Sequence, residues 1–299
     1  MFLEAIKKIS EFTRPIHIIT RKYNSDFVGP GAATMFFVNE LGVAITCKHV
    51  AEILAQSESV NTKYSLFKKE KESLPGPSNK KYKRMLKELE QKYGCRRDIV
   101  VEIKNMFVNC VDKLDNFEII AHPIYDLAII KINGHEKLSY KNYAIFIKDE
   151  NNIQQGKYLC RLGYPFPEFS NYKYDLEKDE INWTSEGRLD TPSFPIDGII
   201  TRLIGDQAAV VGIELSTPGL KGQSGGPLFD RDGKIYGMQS TTHHLHLGFD
   251  MKNFDYFDYK EGGISVKVNN QPFLHVGQCI HANIIKSFLK EKNIKFYEE

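Results

Sequence analysis

The sequence predicts an all-β protein with a short helix at each end and one helical insertion. Most of the 299 residues fall into short apolar runs separated by turn residues such as Gly29-Pro30-Gly31, which is the pattern of strands in a β-rich domain. Apolar residues recur at helical spacing from Phe2 to Phe12 and again from Asn283 to Leu289. This spacing predicts an amphipathic helix at each end of the chain.

Strands are predicted on both sides of the insertion, and two stretches are predicted as loops. The loops are the polar and aromatic residues 167–195 and the aromatic-acidic residues 249–259, which we expect near the cleft. The predicted strands are residues 16–20, 34–38, 42–47, 99–103, 117–121, 126–132, 144–147, 199–203, 208–215 and 235–242.

Composition places the chain among ordinary globular proteins. It is 41% hydrophobic and 26% charged, and its net charge of +2 points to neither nucleic acid nor an anionic membrane. Glu4, Lys7 and Lys8 interrupt the N-terminal apolar run, so a signal peptide is not expected. The five cysteines are odd in number and form no CxxC pair, which indicates free thiols in a reducing compartment. We therefore expect a cytoplasmic protein.

Residues 57–97 have the character of a helical insertion with a basic surface. The breaker cluster Pro75-Gly76-Pro77 precedes a helix-like run over residues 80–94, whose apolar side chains form one stripe. From Lys63 to Asp98, twelve basic and five acidic residues give a net charge of +7. Two interpretations remain open: a solvated surface over a packed stripe, or a docking surface for a regulatory protein partner. Nucleic acid is the less expected partner.

One loop combines small residues with a single hydroxyl group. It is Lys221-Gly222-Gln223-Ser224-Gly225-Gly226-Pro227-Leu228-Phe229. Its glycines permit backbone angles that direct two N–H groups into one hollow, and a carbonyl oxygen that becomes negative during acyl transfer needs such a hollow. The loop therefore indicates a nucleophilic serine.

Two further segments supply the groups that a serine needs. The strand-like run Val43 to Cys47 leads to His49, which is followed by a predicted short helix to Gln56. Asp126 opens the apolar run Leu127-Ala128-Ile129-Ile130. An imidazole must take the serine proton, and a carboxylate must hold that imidazole in the right tautomer. Asp98, at the head of another predicted strand, is the competing acid.

These three segments, in the order His, Asp, Ser, resemble the chymotrypsin/trypsin-like serine peptidases. The resemblance implies two six-stranded antiparallel β-barrels, one in residues 1–140 with the insertion 57–97 and one in residues 141–299. It implies an intracellular, bacterial serine endopeptidase that needs no metal or other cofactor and acts on protein or peptide substrates. In such a peptidase Ser224 is the nucleophile, His49 the general base and Asp126 its orienting group. The N–H groups of Gly222 and Ser224 form the oxyanion hole.

The resemblance also marks a substrate-binding region and two departures. The residues that it implies for substrate binding are Leu220, Lys221, Ser240, Thr241 and Thr242. Gln223 stands where secreted trypsins carry the aspartate that binds a new N-terminus, so activation by N-terminal clipping is not expected. Pro218 stands where trypsins carry the acid that selects a basic residue, so a preference for Lys or Arg is not supported.

The sequence also allows three other interpretations of its function. Gly222-Gln223-Ser224-Gly225-Gly226 also fits the Gly-x-Ser-x-Gly elbow of α/β-hydrolases, but a turn and a strand follow it instead of a helix. His243, His244 and His246 could bind zinc only with a further ligand. The third is a catalytically silent scaffold that keeps the peptidase fold and serves as a docking module.

Overall fold

The computed structural model describes residues 2–205, 209–248, 251–258, 264–270 and 273–299. The protein is mostly β, with a curled half-barrel in its N-terminal half and a closed six-stranded barrel in its C-terminal half. The predicted chymotrypsin-like, all-β fold is therefore confirmed. Among the residues described, no helix is both long enough and apolar enough to span a membrane.

The N-terminal sheet has six antiparallel strands in the order β4-β1-β2-β3-β6-β5. Its core is continuous with that of the C-terminal half, because one apolar cluster extends from Phe12 and Met35 to Phe229 and Phe288. The strands are β1 Thr13–Lys22, β2 Val28–Phe37, β3 Val43–Thr46, β4 Val100–Phe107, β5 Asn116–Ala121 and β6 Ala128–Asn133.

The C-terminal barrel closes because β13 pairs with both β8 and β14. The ring β13-β8-β11-β12-β17-β14 is antiparallel throughout, and β7 and β18 extend it in parallel. Its strands are β7 Ile145–Phe146, β8 Tyr158–Gly163, β11 Phe194–Gly205, β12 Val210–Leu215, β13 Pro227–Phe229, β14 Lys234–His246, β17 Phe273–His281 and β18 Tyr297–Glu298.

Helix α2 (Lys48–Glu72) covers the opening of the N-terminal half-barrel. It contacts both end strands, β4 and β5. The side chain of Asn61 takes the place of a neighbouring strand: its Nδ2 donates to Ile103 O at 2.8 Å, and its Oδ1 accepts from Ile103 N at 2.9 Å. An edge strand with unpaired backbone groups needs such a cover, which explains why this half stays curled and unclosed.

The predicted helices are present, but α2 is much longer than expected. The short helix predicted to end at Gln56 continues to Glu72, because Tyr64 and Phe67 bury their rings against Tyr23. Gly94 ends α3 in the left-handed conformation at φ 65°. The other helices are α1 Leu3–Ser10, α3 Tyr82–Tyr93 and α4 Ala282–Glu291.

Both stretches predicted as loops contain strands. Within residues 167–195, β9 (Tyr172–Asp175) pairs with β10 (Glu180–Trp183). Ile181 and Phe169 are buried against Ile19, so tertiary packing overrides the irregular local sequence. Within residues 249–259, β15 (Met251–Asp258) pairs with β16 (Ile264–Asn270), and the remaining positions lie outside the described residues. The predicted turn at Asp206 also lies outside them.

Candidate active site

The Ser224 loop takes a backbone path that its glycines alone permit. Gly222 has φ 99° and Gly225 has φ 88°, both in the region that side chains with a Cβ rarely adopt. A Cβ on Gly225 would lie 2.0 Å from Thr34 O, so the loop presses directly against β2. The sequence of this loop therefore serves a close approach between the two halves of the protein.

Thr34 fixes the loop from the N-terminal half. Its backbone N–H donates to Ser224 O at 3.0 Å, and its hydroxyl donates to Gly222 O at 2.8 Å. Within the same loop, the N–H groups of Gln223, Gly225 and Gly226 donate to carbonyl oxygens. Among the described residues, the N–H groups of Gly222 and Ser224 have no protein acceptor. Two free donors beside a hydroxyl are what a developing oxyanion requires.

His49 and Asp126 form a close pair at the start of α2. His49 Nδ1 lies 2.9 Å from Asp126 Oδ2 and 3.0 Å from Oδ1, and the backbone N–H of His49 donates to Oδ1 at 3.0 Å. The carboxylate thus holds both the ring and the backbone of the histidine. Asp98 is exposed and is not a hydrogen-bond partner of His49 in the structure described.

A third donor reaches Asp126 from the C-terminal barrel. The hydroxyl of Ser240, on β14, donates to Asp126 Oδ2 at 2.5 Å. Ser240 is also one of the residues predicted to bind substrate; its hydroxyl is bonded to the carboxylate, and its backbone carbonyl accepts from Ser224 Oγ. Cys47 is buried beneath this group and donates its thiol to Gln239 O at 3.2 Å.

The hydrogen bonds set the protonation states of the pair. The Asp126 carboxylate raises the pKa of His49, and partial burial of the ring opposes this shift. Burial alone would raise the pKa of Asp126, but the donors on His49 and Ser240 hold it below its usual value. Asp126 is therefore ionised, and His49 is a stronger base than an ordinary histidine.

His49 and Ser224 line one cleft of about 330 Å³. Ser224 Oγ donates to Ser240 O at 3.3 Å, and the described hydrogen bonds do not include one between Ser224 and His49. Catalytic hydrogen bonds are often long or absent before substrate binds. Lys221 and Gly222, both predicted site residues, also line the cleft. The rest of its lining is mainly apolar and had no signal in the sequence: Ile18, Thr20, Gly29, Pro30, Gly31, Ala32, Ala33, Val50 and Ile53.

The side chain of Gln223 also holds the loop. Its Oε1 accepts from Leu220 N at 3.0 Å, and its Nε2 donates to Phe194 O at 3.0 Å. The residue is completely buried. Because both ends of the amide are used by the backbone, the loop is fixed without a charged partner.

The other residues predicted to bind substrate surround Ser224. Thr242 Oγ1 donates to Gly219 O at 2.6 Å, which joins β14 to the loop before the nucleophile. Leu220 is half-buried in that loop, Lys221 is exposed at the cleft, and Thr241 is exposed on β14.

Two groups of residues contain atoms that could serve as metal ligands. Ligand atoms of Cys47, His49 and Asp126 lie within 4.8 Å of one another. However, the Cys47 thiol donates to Gln239 O at 3.2 Å, and His49 Nδ1 is bonded to Asp126, so these ligand atoms are already engaged within the protein. The group therefore suits proton transfer better than a metal centre. In the histidine cluster, the ring of His244 contacts His275 on β17, and His243 contacts Gln278.

Comparison with known proteins identifies the family. The family model of the trypsin-like peptidase domain matches residues 33–238, which is more than half of the chain. The chain belongs to the trypsin-like peptidase family, as its sequence motifs predicted. No protein in the curated set matches the sequence.

Among the 363 matching chains of solved structures is the HtrA-type protease AlgW, in a serine-to-alanine variant with a tripeptide. The two chains are 12% identical, with a TM-score of 0.45. The alignment covers 97% of this chain and 62% of that one, so this chain spans less than two thirds of that protein.

Proposed function

We propose that the protein is a serine endopeptidase that uses Ser224, His49 and Asp126. The observation that carries the proposal is the arrangement around one cleft: a histidine held by a carboxylate, a hydroxyl, and two N–H donors without a protein acceptor. Family membership supports peptide-bond hydrolysis as the chemistry.

The first half of the proposed reaction forms an acyl-enzyme. His49 Nε2 takes the proton of Ser224 Oγ as this oxygen attacks the substrate carbonyl carbon. The carbonyl oxygen becomes negative and accepts hydrogen bonds from the N–H groups of Gly222 and Ser224. His49 then gives its proton to the leaving amine nitrogen, the peptide C–N bond breaks, and an ester to Ser224 remains.

Water completes the cycle by the same proton transfers. His49 takes a proton from water as its oxygen attacks the ester, and returns it to Ser224 Oγ when the C–O bond breaks. Asp126 stays ionised throughout and stabilises the imidazolium. In the resting state Ser224 Oγ points to Ser240 O, so a rotation about its χ1 angle must bring it to His49.

The first experiment tests the nucleophile. A fluorophosphonate probe is expected to label the wild-type protein and not Ser224→Ala, and peptide hydrolysis is expected to follow labelling. Ser216→Ala is a matched control, because Ser216 is an exposed serine of the preceding loop. Absence of both labelling and hydrolysis from folded wild-type protein contradicts the proposal.

A silent scaffold is the second candidate function. The observation in its favour is that Ser224 donates to Ser240 and not to His49. If the protein is a scaffold, the probe leaves Ser224 unmodified even when the folded protein is saturated with peptides.

We also propose that the protein acts inside the cell under the control of an acidic regulatory protein. All five cysteines are free and buried, which supports a reducing compartment. Exposed cations on α3, among them Lys83, Arg84 and Lys87, offer a surface for an acidic partner. Helix α3 itself is anchored by Leu86, Leu89 and Tyr93, which pack on the cluster around Phe67.

Charge reversal tests the partner without removing that anchor. Cross-linking in cells of the source organism is expected to recover an acidic protein with the wild type and not with the triple variant Lys83→Glu, Arg84→Glu and Lys87→Glu. The matched control reverses Lys113, Lys137 and Lys141, which are exposed outside the insertion. Equal recovery with all three proteins, or recovery of nucleic acid alone, contradicts the proposal.

A further inference from the structure

Arg161 is a buried cation without an anionic partner. It lies on β8 with an exposed fraction of 0%. Its Nη2 donates to Thr217 O at 3.0 Å, to Thr217 Oγ1 at 2.8 Å and to Pro218 O at 3.0 Å, and its Nη1 donates to Gln239 Oε1 at 2.5 Å. Its Nε has no acceptor. All of its partners are neutral oxygen atoms.

This isolation is unusual and energetically costly. A buried charge that lacks a counter-ion carries a large desolvation cost. The other fully buried arginine, Arg21, has two carboxylate partners: Glu102 at 2.6 Å and Asp179 at 2.9 Å. Arg161 forms no ion pair among the residues that the structure describes, and burial lowers its pKa. The fold thus leaves the Arg161 guanidinium without a negatively charged partner.

The Arg161 guanidinium is hydrogen-bonded to the two segments that flank Ser224. Thr217 and Pro218 belong to the loop that leads to the nucleophile, and Gln239 immediately precedes Ser240. The loop and β14 meet where Thr242 Oγ1 donates to Gly219 O at 2.6 Å. A substrate whose scissile carbonyl lies at Ser224 would direct an adjacent side chain between these segments.

Two glycines make room for this arrangement. A Cβ on Gly277 would lie 2.2 Å from Arg161 Nη1, and a Cβ on Gly219 would lie 2.3 Å from Gln239 Nε2. The side chains of Arg161 and Gln239 therefore occupy space that any other residue at these two positions would fill. Glycine at both positions is therefore required for Arg161 and Gln239 to pack as they do.

We propose that Arg161 selects substrates with Glu or Asp immediately before the scissile bond. The substrate carboxylate replaces Gln239 Oε1 as the acceptor of Arg161 Nη1 and supplies the missing counter-ion. In the free protein Gln239 is only 2% exposed and Thr242 bridges β14 to Gly219, so both side chains must move aside before a substrate carboxylate reaches Arg161. The inference rests on the proposed peptidase function, since it assigns the substrate class of that same site.

A structural role is the competing explanation for Arg161. Its bonds to Thr217 O and Pro218 O would then only fix the loop to the barrel. The two roles differ in what they predict for Gln239. If Arg161 binds the substrate carboxylate, the carboxylate of Gln239→Glu should pair with its guanidinium permanently and weaken the preference for acidic substrates. If Arg161 is only structural, the same substitution should leave substrate preference unaltered.

The first measurement is cleavage of a peptide library by the wild-type protein, with Ser224→Ala as the blank. Glu or Asp is expected at the position before the cleaved bond in most products. Cleavage with another preference there overturns the inference and leaves the peptidase proposal standing. Absence of both cleavage and fluorophosphonate labelling overturns the peptidase proposal, and the inference falls with it.

The second measurement compares Gln239→Glu with Gln278→Glu. Gln278 lies on the neighbouring strand β17, bonded to Thr241 and His243, so it carries the same charge change without contacting Arg161. Two peptide substrates are compared that differ only in having Glu or Gln immediately before the scissile bond. The ratio of kcat/KM for the Glu peptide to kcat/KM for the Gln peptide is expected to fall by about tenfold or more in Gln239→Glu. It should fall much less in Gln278→Glu. Equal ratios in the folded Gln239→Glu and wild-type proteins overturn the inference.

Discussion

Ser240 donates its hydroxyl proton to Asp126 Oδ2 over 2.5 Å, although the two residues belong to different halves of the protein. The C-terminal barrel thus contributes a donor to the acid that orients His49. This contact ties the geometry of the proposed catalytic pair to the packing of the halves. It also gives the side chain of Ser240 a role of its own, beside the substrate binding that stays a prediction for this residue.

Ser240→Ala should lower kcat. Asp126 would lose one of its donors, and a hydrogen bond to a charged group contributes about 1.5–3 kcal/mol. Roughly tenfold or more in kcat should be lost, with KM little changed. Steady-state kinetics measure this, with Ser59→Ala, an exposed serine on α2, as the control. An unchanged kcat contradicts the role assigned to this hydroxyl.

The pH profile of kcat/KM should report His49. The imidazole must be neutral to accept a proton, and Asp126 raises its pKa above 6.5. Activity should therefore fall as pH drops through a value higher than that of an ordinary histidine. In Asp126→Asn this limb should move to lower pH, and kcat should drop by about 10⁴-fold, because the wrong tautomer is favoured. If kcat/KM of Asp126→Asn falls at the same pH as that of the wild-type protein, a group other than His49 titrates.

Gln223→Leu should impair the hollow beside Ser224. The change removes the side-chain partners of Leu220 N and Phe194 O, which lie in partly buried hydrogen bonds, and a group left unpaired out of reach of water costs about 1–3 kcal/mol. We expect a lower melting temperature and a lower kcat, since the Gly222 N–H is no longer held in place. Calorimetry and kinetics, with the exposed Gln91→Leu as control, test this. Wild-type values for both quantities would refute it.

Glu102→Gln should destabilise the packing of α2 and the β9–β10 hairpin against β1. Arg21 and Glu102 are both nearly inaccessible, at 1% and 6% exposure. Removing one partner of a buried pair typically costs about 3–5 kcal/mol, and Asp179 should retain part of the interaction. Urea denaturation should therefore show a loss near the lower end of this range. The exposed pair of Glu118 with Lys131 provides the control Glu118→Gln, which should change stability little.

Local sequence predicted most of the fold and the proposed catalytic residues. The run around Ser224 contains the glycines that its backbone angles require, and His49 and Asp126 follow or open strands whose apolar patterns are strong. The same local signals failed for residues 57–72 and 167–195. There, burial of Tyr64, Phe67 and Ile181 against distant strands determines the structure.

The sequence by itself determined the family, the order of the three segments and the two terminal helices, because each depends on residues close together in the chain. Only the tertiary structure decided that Ser240 serves Asp126, that Thr34 fixes the Ser224 loop and that Arg161 lies unpaired behind Gln239. These contacts join residues 78 to 188 positions apart. Their geometry arises from the packing of the N-terminal half-barrel on the C-terminal barrel, which no local pattern of residues specifies.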